Sequence, residues 1–386
     1  MSTFSSLGLC RPVVSALEKL NYVSPTPIQD AAIPHVLAGR DVLASAQTGS
    51  GKTAAYGLPI IECLLEPEDH VRALIISPTR ELCSQTTTQF ELFGADLELR
   101  TIAVYGGTGF TEQTKALKKG VDIIVATPGR LLDHVERGHV DLSKIEILVL
   151  DEADRLLDMG FMPQVRKIIS KLPKDRQTLM FSATIDERVK SIASQYQMNP
   201  ICVDINNEQV EPKEIEQVLY NVHEFDKDAL LVRLLTELSM TSVVVFTNTR
   251  MRADWVHARL NEANVVNEAI HGEITQVKRE KALEKFRNGA IQVLVATDVA
   301  ARGLDVPDIS HVINYDLPGT ADEYVHRIGR TGRAGRSGVA VSFISDEERF
   351  MVREIEKVIG RSLDPTAAQP VIRKKLPPRR FGARRA

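Results

Sequence analysis

Long apolar runs are missing from this chain, cysteine is rare, aromatics are few and charge is nearly balanced. Each shortage excludes something. No stretch of 18 apolar residues occurs, and the opening MSTFSSLGLCRPVV has neither a charged start nor a long apolar core. No membrane span and no export signal are expected, so the reading is a cytoplasmic protein. The four cysteines, Cys10, Cys63, Cys83 and Cys202, form no CxxC pair and no Cys/His cluster at zinc spacing. They read as reduced, packed thiols rather than a disulfide frame or a structural metal site. With 5% aromatics and a net charge of −3, neither abundant stacking rings nor bulk positive charge announces a nucleic-acid binder.

What is present is ordinary globular composition, 43% hydrophobic and 26% charged, over 386 residues, more than one ordinary domain. Charge is unevenly placed. The last 16 residues, VIRKKLPPRRFGARRA, hold seven Lys or Arg and no acid, which leaves residues 1–370 at −10. Short apolar runs alternate with helix-like segments throughout. In the first half they are DVLASA, RALIISP, RTIAVYG, VDIIVAT, IEILVLD, QTLMFSAT and PICVDI; in the second, EQVLYNV, SVVVFTN, VNEAIHG, IQVLVATD, HVINYDLP and VAVSFIS. Runs this continuously apolar belong to parallel strands covered by helices on both faces. Between the halves NNEQVEPKE is polar, contains Pro212 and has no apolar periodicity. The pattern predicts two α/β domains over residues 1–205 and 215–360, a linker over 206–214, and a basic, disordered tail over 361–386.

The chemistry starts from IEILVLDEADRLLDMGF, where Asp151, Glu152 and Asp154 crowd the end of an apolar strand. A helix N-terminus favours one acid; three close together call for a cation or strong donors. DVLASAQTGSGKTAAY supplies a candidate: a strand, a glycine-bearing loop and a helical pattern. AQTGSGKT fits the phosphate-loop pattern except for Ala46 at its first glycine position. Thr48, Gly49, Ser50 and Gly51 would wrap phosphates, Lys52 would meet the β and γ oxygens, and Thr53 would hold Mg²⁺ from the helix start. Asp151 would share that ion, and Glu152 would orient and deprotonate a water for in-line attack on ATP. Asp154, two positions on, would accept bonds from other protein groups.

These residues, with PTREL at 78–82, TPGR at 127–130, SAT at 182–184, ATDVAARGLD at 296–305 and HRIGRTGR at 326–333, resemble the DEAD-box ATP-dependent RNA helicases. The lean architecture and short basic tail look like the bacterial RhlE-type members. The resemblance implies two tandem RecA-like domains, each a parallel sheet flanked by helices. It also implies that Gln29, in NYVSPTPIQ, reads the adenine edge and that Phe4 packs on the base, with Asn21 replacing a common glycine. Arg330 and Arg333 look like arginine fingers, His326 like a link from Asp154 and SAT to the closed site, and Asp305 like a ribose contact. Ser182 and Thr184 would couple nucleotide state to closure.

RNA contacts are implied for Pro78, Thr79, Arg80, Gly106, Gly107, Thr127, Gly129 and Arg130. In the second domain they are implied for Thr249, Arg250, Gly272, Gln276, Arg279, Thr297 and Arg302. Hydroxyls, glycine N–H groups and arginines suit phosphate and 2′-OH, and no aromatic interleaves with these motifs. Little sequence specificity is expected. The implied activity is RNA-dependent ATP hydrolysis with clamping of single-stranded RNA and local opening of short duplexes, in settings such as ribosome assembly and RNA turnover. Two rivals stay open at this point: a DNA translocase, and an ATP-gated RNA clamp that does not unwind.

Overall fold

The computed structural model describes residues 2–46, 49–205, 215–237, 240–301, 309–332 and 337–367. The chain divides between residues 210 and 211, inside the expected linker, into two compact units. The linker itself, 206–214, lies outside the described residues.

The first unit is built on β1 (Val42–Ser45), β2 (Ala73–Ile76), β3 (Thr101–Val104), β4 (Ile123–Ala126), β5 (Ile147–Asp151), β6 (Gln177–Ser182) and β7 (Ile201–Asp204). They form one sheet in the order β3-β4-β2-β5-β6-β1-β7, and every pairing is parallel. The continuous apolar runs have a physical cause visible in β5. Ile147 and Val149 enter the core on one face, while Leu148 and Leu150 enter the core on the other. A strand with helices on both sides leaves no position for a polar residue until its end. There the acids begin.

The second unit contains β8 (Ile215–Asn221), β9 (Val243–Thr247), β10 (Asn267–Ile270), β11 (Val293–Thr297), β12 (His311–Asn314), β13 (Gly338–Ile344) and β14 (Pro365–Ala367). Their order is β10-β11-β9-β12-β13-β8-β14, again all parallel, so each strand holds the place of the strand seven earlier. The chain has folded one topology twice. In β9, Val243 and Val245 face one core and Val244 and Phe246 the other, as in β5.

This repeat corrects one expectation. The tail was expected to begin at residue 361, but β14 pairs with β8 as β7 pairs with β1, and Leu363 is buried in the same core. Pro365–Ala367 has no apolar run to reveal it. The basic residues 373–385 lie outside the described residues. A second correction concerns the thiols: Cys83 is buried, but Cys63 and Cys202 are exposed. Among the described residues no helix is long and apolar enough to cross a membrane.

Candidate nucleotide site and nucleic-acid face

In the first unit β1 lies beside β6, which lies beside β5. The carboxyl ends of these three strands bring Ser45 beside Ser182, far along the sequence, and Asp151 beside Phe181. β1 runs out at Ala46, whose N–H still donates to Ser182 O at 3.2 Å. Ala46 therefore continues the ladder, and this first position of the loop does not need glycine. Gly49 and Gly51 do turn left-handed, with φ of 86° and 93°. At Gly51 a side chain is excluded twice, by φ and because a Cβ would run into the amide of Gln29.

That contact explains Gln29. Its Oε1 accepts from Thr26 N–H at 3.0 Å, closing the first turn of the helix Pro27–Leu37, while Nε2 donates to Gly51 O at 3.2 Å. Gln29 thus ties its helix to the phosphate loop. These two bonds leave one amide proton and one oxygen lone pair unused. Asn21, at the position of the family glycine, takes φ of 59°, the left-handed conformation that asparagine tolerates. Phe4 is buried with its ring 6.4 Å from Tyr22 and packs into the first unit's core. Thr48 lies outside the described residues.

Lys52 opens the helix Lys52–Cys63 and is buried, its Nζ donating to Ala46 O at 2.5 Å and to Ser182 O at 3.3 Å. Burial pushes its pKa down, against the pull of Glu152 and Asp151. Asp151 ends β5 and is also buried; burial first and the neighbouring Glu152 second push its carboxyl up to about 7. Its Oδ2 accepts from Tyr56 Oη at 3.1 Å.

Glu152 sits at φ of 50° before the helix Ala153–Asp158 and accepts from Arg155 Nη1 at 2.5 Å, with both side chains buried. Asp154 does what its position suggested. Its N–H donates to Ser182 Oγ at 3.3 Å, and its Oδ2 accepts from Ala183 N–H at 3.2 Å. The three acids therefore answer to three partners: Tyr56, Arg155 and the SAT segment. Thr53 and Thr184 stay more open, Thr184 at the surface. Sequence reading missed Arg155 and Tyr56. The first was within reach from its spacing of three after Glu152 on a helix; nothing local marks the second.

The other half of the same sheet edge, at β3, β4 and β2, carries the second set. Thr79 caps the helix Arg80–Phe93 by accepting from Leu82 N–H at 3.3 Å, a bond that does not use its hydroxyl proton. Arg80 lies across Gly106 and Gly107, and a Cβ at Gly107 would run into its guanidinium. Arg130 reaches the same turn, donating to Thr108 O at 3.3 Å and to Gln113 Oε1 at 3.2 Å. PTR, GG and TPGR thus converge. Pro78 is buried, Thr127 half-buried and Gly129 exposed. One aromatic does sit among them, contrary to expectation: Phe110 is stacked on His134 at 4.2 Å and covered by Arg130 and Arg137. His134, deprived of water and beside His139 and Arg130, has its pKa pushed down to about 4.

The second unit repeats this division. Thr249 follows β9 and caps the helix Arg250–Glu262, accepting from Arg252 N–H at 3.2 Å. Arg250 is exposed and paired with Glu273, beside exposed Gly272. Gln276, Arg279 and Thr297 are buried, and Arg279 donates to Ala300 O at 2.6 Å. Arg279 braces the segment after β11 in this structure. In HRIGRTGR, His326 is half-buried on the helix Ala321–Ile328, and Arg330 is buried with Nε donating to His326 O at 3.2 Å. Arg302, Asp305 and Arg333 lie outside the described residues.

Residues 26–192 match the DEAD/DEAH box helicase family, and residues 226–335 match the helicase conserved C-terminal domain. The chain is 42% identical over 368 residues to the ATP-dependent RNA helicase CshA of Listeria monocytogenes, covering 95% of this chain and 71% of that protein. It is 42% identical over 364 residues to the DEAD-box ATP-dependent RNA helicase CshA of Geobacillus kaustophilus, covering 94% and 78%. Among solved structures it is similar to S. cerevisiae Dbp5 bound to RNA and ADP BeF3, with a TM-score of 0.86 and 33% identity over 95% of this chain and 96% of that one. Mss116p bound to ssRNA and AMP-PNP gives a TM-score of 0.85 at 29% identity, covering 96% and 80%.

Proposed function

This chain belongs to the DEAD-box ATP-dependent RNA helicases, and we propose that its sheet edges divide the work: ATP hydrolysis at β1, β5 and β6, and single-stranded RNA held at β2, β3 and β4 and at their counterparts in the second unit. The observation that carries this reading is the division itself. Lys52, Asp151, Glu152 and Asp154 gather at one half of the carboxyl edge, and Thr79, Arg80, Gly106, Gly107 and Arg130 at the other. Carboxyl ends of parallel strands are where such sheets bind ligands.

Lys52, now holding two carbonyls, would turn to the phosphate oxygens of ATP. Thr53 and Asp151 would hold Mg²⁺. Hydroxyl and carboxylate oxygens are the hard donors that ion prefers, and Asp151 is buried at the carboxyl end of its strand. When bound, the ion supplies charge that offsets what develops on the phosphates. Glu152, oriented by Arg155, would position the attacking water and take its proton. Asp154 would pass nucleotide state to Ser182 and Thr184 through its bonds to Ser182 and Ala183. Arg330, Arg333, His326 and Asp305 would be the second unit's groups for the nucleotide, and Arg302 would join that unit's RNA face. The RNA-facing groups read backbone rather than bases, which suits a cytoplasmic protein acting on many RNAs, as in ribosome assembly or RNA turnover. Strand separation of a short RNA duplex tests the reading: ATP-dependent opening is expected. RNA binding strengthened by ATP without strand separation would favour the clamp, and equal opening of DNA would favour a translocase.

Gln29 sets nucleotide choice. A guanine edge would leave its unused donor and acceptor mismatched at about 1–3 kcal/mol for each buried group. The kcat/KM for ATP should exceed that for GTP by at least roughly tenfold, and equal values would remove Gln29 from that role.

The tail adds attraction without chemistry. If its seven cations, all beyond residue 370, met phosphates of one strand, the log–log salt slope of RNA binding would steepen by roughly five. Truncation after residue 370 should weaken RNA binding at low salt and flatten that slope, while kcat at saturating RNA is maintained. Identical slopes would make the tail a bystander for RNA.

A further inference from the structure

Tyr56 is a buried hydroxyl in a slot otherwise made for a ring. It lies one turn after Thr53 on the helix Lys52–Cys63, with no exposed surface. Its ring is fixed by Phe181 of β6, edge-on at 5.1 Å, and by Phe90 of the helix Arg80–Phe93 at 6.4 Å. Apolar packing alone would be served by phenylalanine. A hydroxyl in such a place costs stability unless it is bonded. Here it donates to Asp151 Oδ2 at 3.1 Å, with the side chains of Thr86 and Thr53 beside it. Its bonded partner Asp151, and Thr53 one turn back on the same helix, are the residues assigned to the divalent cation.

We propose that Tyr56 is a positioning residue for that cation, its hydroxyl holding the Asp151 carboxylate in the placement, beside Thr53, that receives Mg²⁺. The inference rests on the assignment of Thr53 and Asp151 given above. With Oδ2 bonded to Tyr56, the carboxylate is held by a buried ring packed against Phe181 and Phe90. Groups of this kind, one bond removed from a metal ligand, orient the ligand, and their loss typically lowers metal affinity by about 10–100-fold.

The test uses the full chain as wild type, Tyr56→Phe and Asp151→Asn, each with saturating ADP. Mn²⁺ binding is read directly from the loss of the free-ion paramagnetic resonance signal. Mg²⁺ titration of the RNA-stimulated ATPase of Tyr56→Phe gives a second readout. Tyr56→Phe keeps the ring and its packing, so the fold is retained. It should weaken Mn²⁺ binding by about tenfold and raise the Mg²⁺ concentration for half-maximal ATPase by a similar factor. Unchanged Mn²⁺ affinity in Tyr56→Phe, with affinity lost in Asp151→Asn, would overturn the inference and leave the metal assignment standing. Unchanged affinity in both would overturn the assignment and the inference with it.

Discussion

Replacing Glu152 by glutamine is expected to lower RNA-stimulated ATP turnover by about 10²–10⁴-fold, the usual contribution of a general base. Glutamine keeps the carbonyl oxygen that can accept from Arg155, whose Nη1 lies 2.5 Å from the carboxylate. The local fold should therefore survive, and ATP and RNA should still bind. What is lost is the second oxygen's negative charge and its ability to take a proton. Lys52, Asp151 and the phosphate loop are untouched, so the loss should fall on kcat rather than on nucleotide affinity. Steady-state ATPase with nucleotide and RNA affinities measured side by side checks this; turnover within about twofold of wild type would remove Glu152 from the role of base.

The second large effect separates two arginines three residues apart. Arg327→Ala is expected to damage the fold, and Arg330→Ala the chemistry. The Arg327 guanidinium is buried and donates to both oxygens of Asp298, at 2.6 and 2.5 Å, to Asp316 O at 2.7 Å, and to Asn248 Oδ1 at 2.9 Å. Those acceptors tie the ends of β9, β11 and β12 to the helix Ala321–Ile328. Removing one partner of a buried pair leaves the other uncompensated, at about 3–5 kcal/mol. For a unit of this size that corresponds to a melting midpoint lower by roughly 10 °C. Arg330 is buried too, but its guanidinium is the candidate finger, and such arginines contribute about 10³–10⁵-fold to kcat. Arg330→Ala should lose turnover of that order while shifting the second unit's melting far less than Arg327→Ala. Thermal melting and ATPase on both variants check the contrast. Equal melting losses with turnover kept in Arg330→Ala would make Arg330 a structural residue.

The strands were legible because a strand with helices on both faces has to be apolar throughout; VDIIVAT and SVVVFTN could be little else. β14 was not, because its residues, Pro365 to Ala367, are neither apolar nor long, and only the repeat of the first sheet's order reveals its place. The phosphate loop and the acid cluster were legible as local patterns with fixed chemistry. Their partners were less so. Tyr56 and Asp151 are 95 residues apart, and nothing near either one announces the bond. Arg279 is buried and donates to Ala300 O, a bond made by tertiary packing that a motif does not encode. Gly51 and Gly107 illustrate the same limit. Gly51 was read for phosphate and Gly107 for RNA, and each is also a place where a side chain from elsewhere, Gln29 or Arg80, occupies the space of a Cβ.

The proposed division of one sheet edge between ATP and RNA makes coupling of the two ligands the expected result. The direct measurement is the affinity of single-stranded RNA with and without a non-hydrolysable ATP analogue, paired with the affinity of that analogue with and without RNA. Linkage requires the same factor in both directions, and coupling of about 1–3 kcal/mol would appear as roughly 5–150-fold tightening. RNA affinity indifferent to the ATP analogue, in a protein that still hydrolyses ATP, would contradict the account.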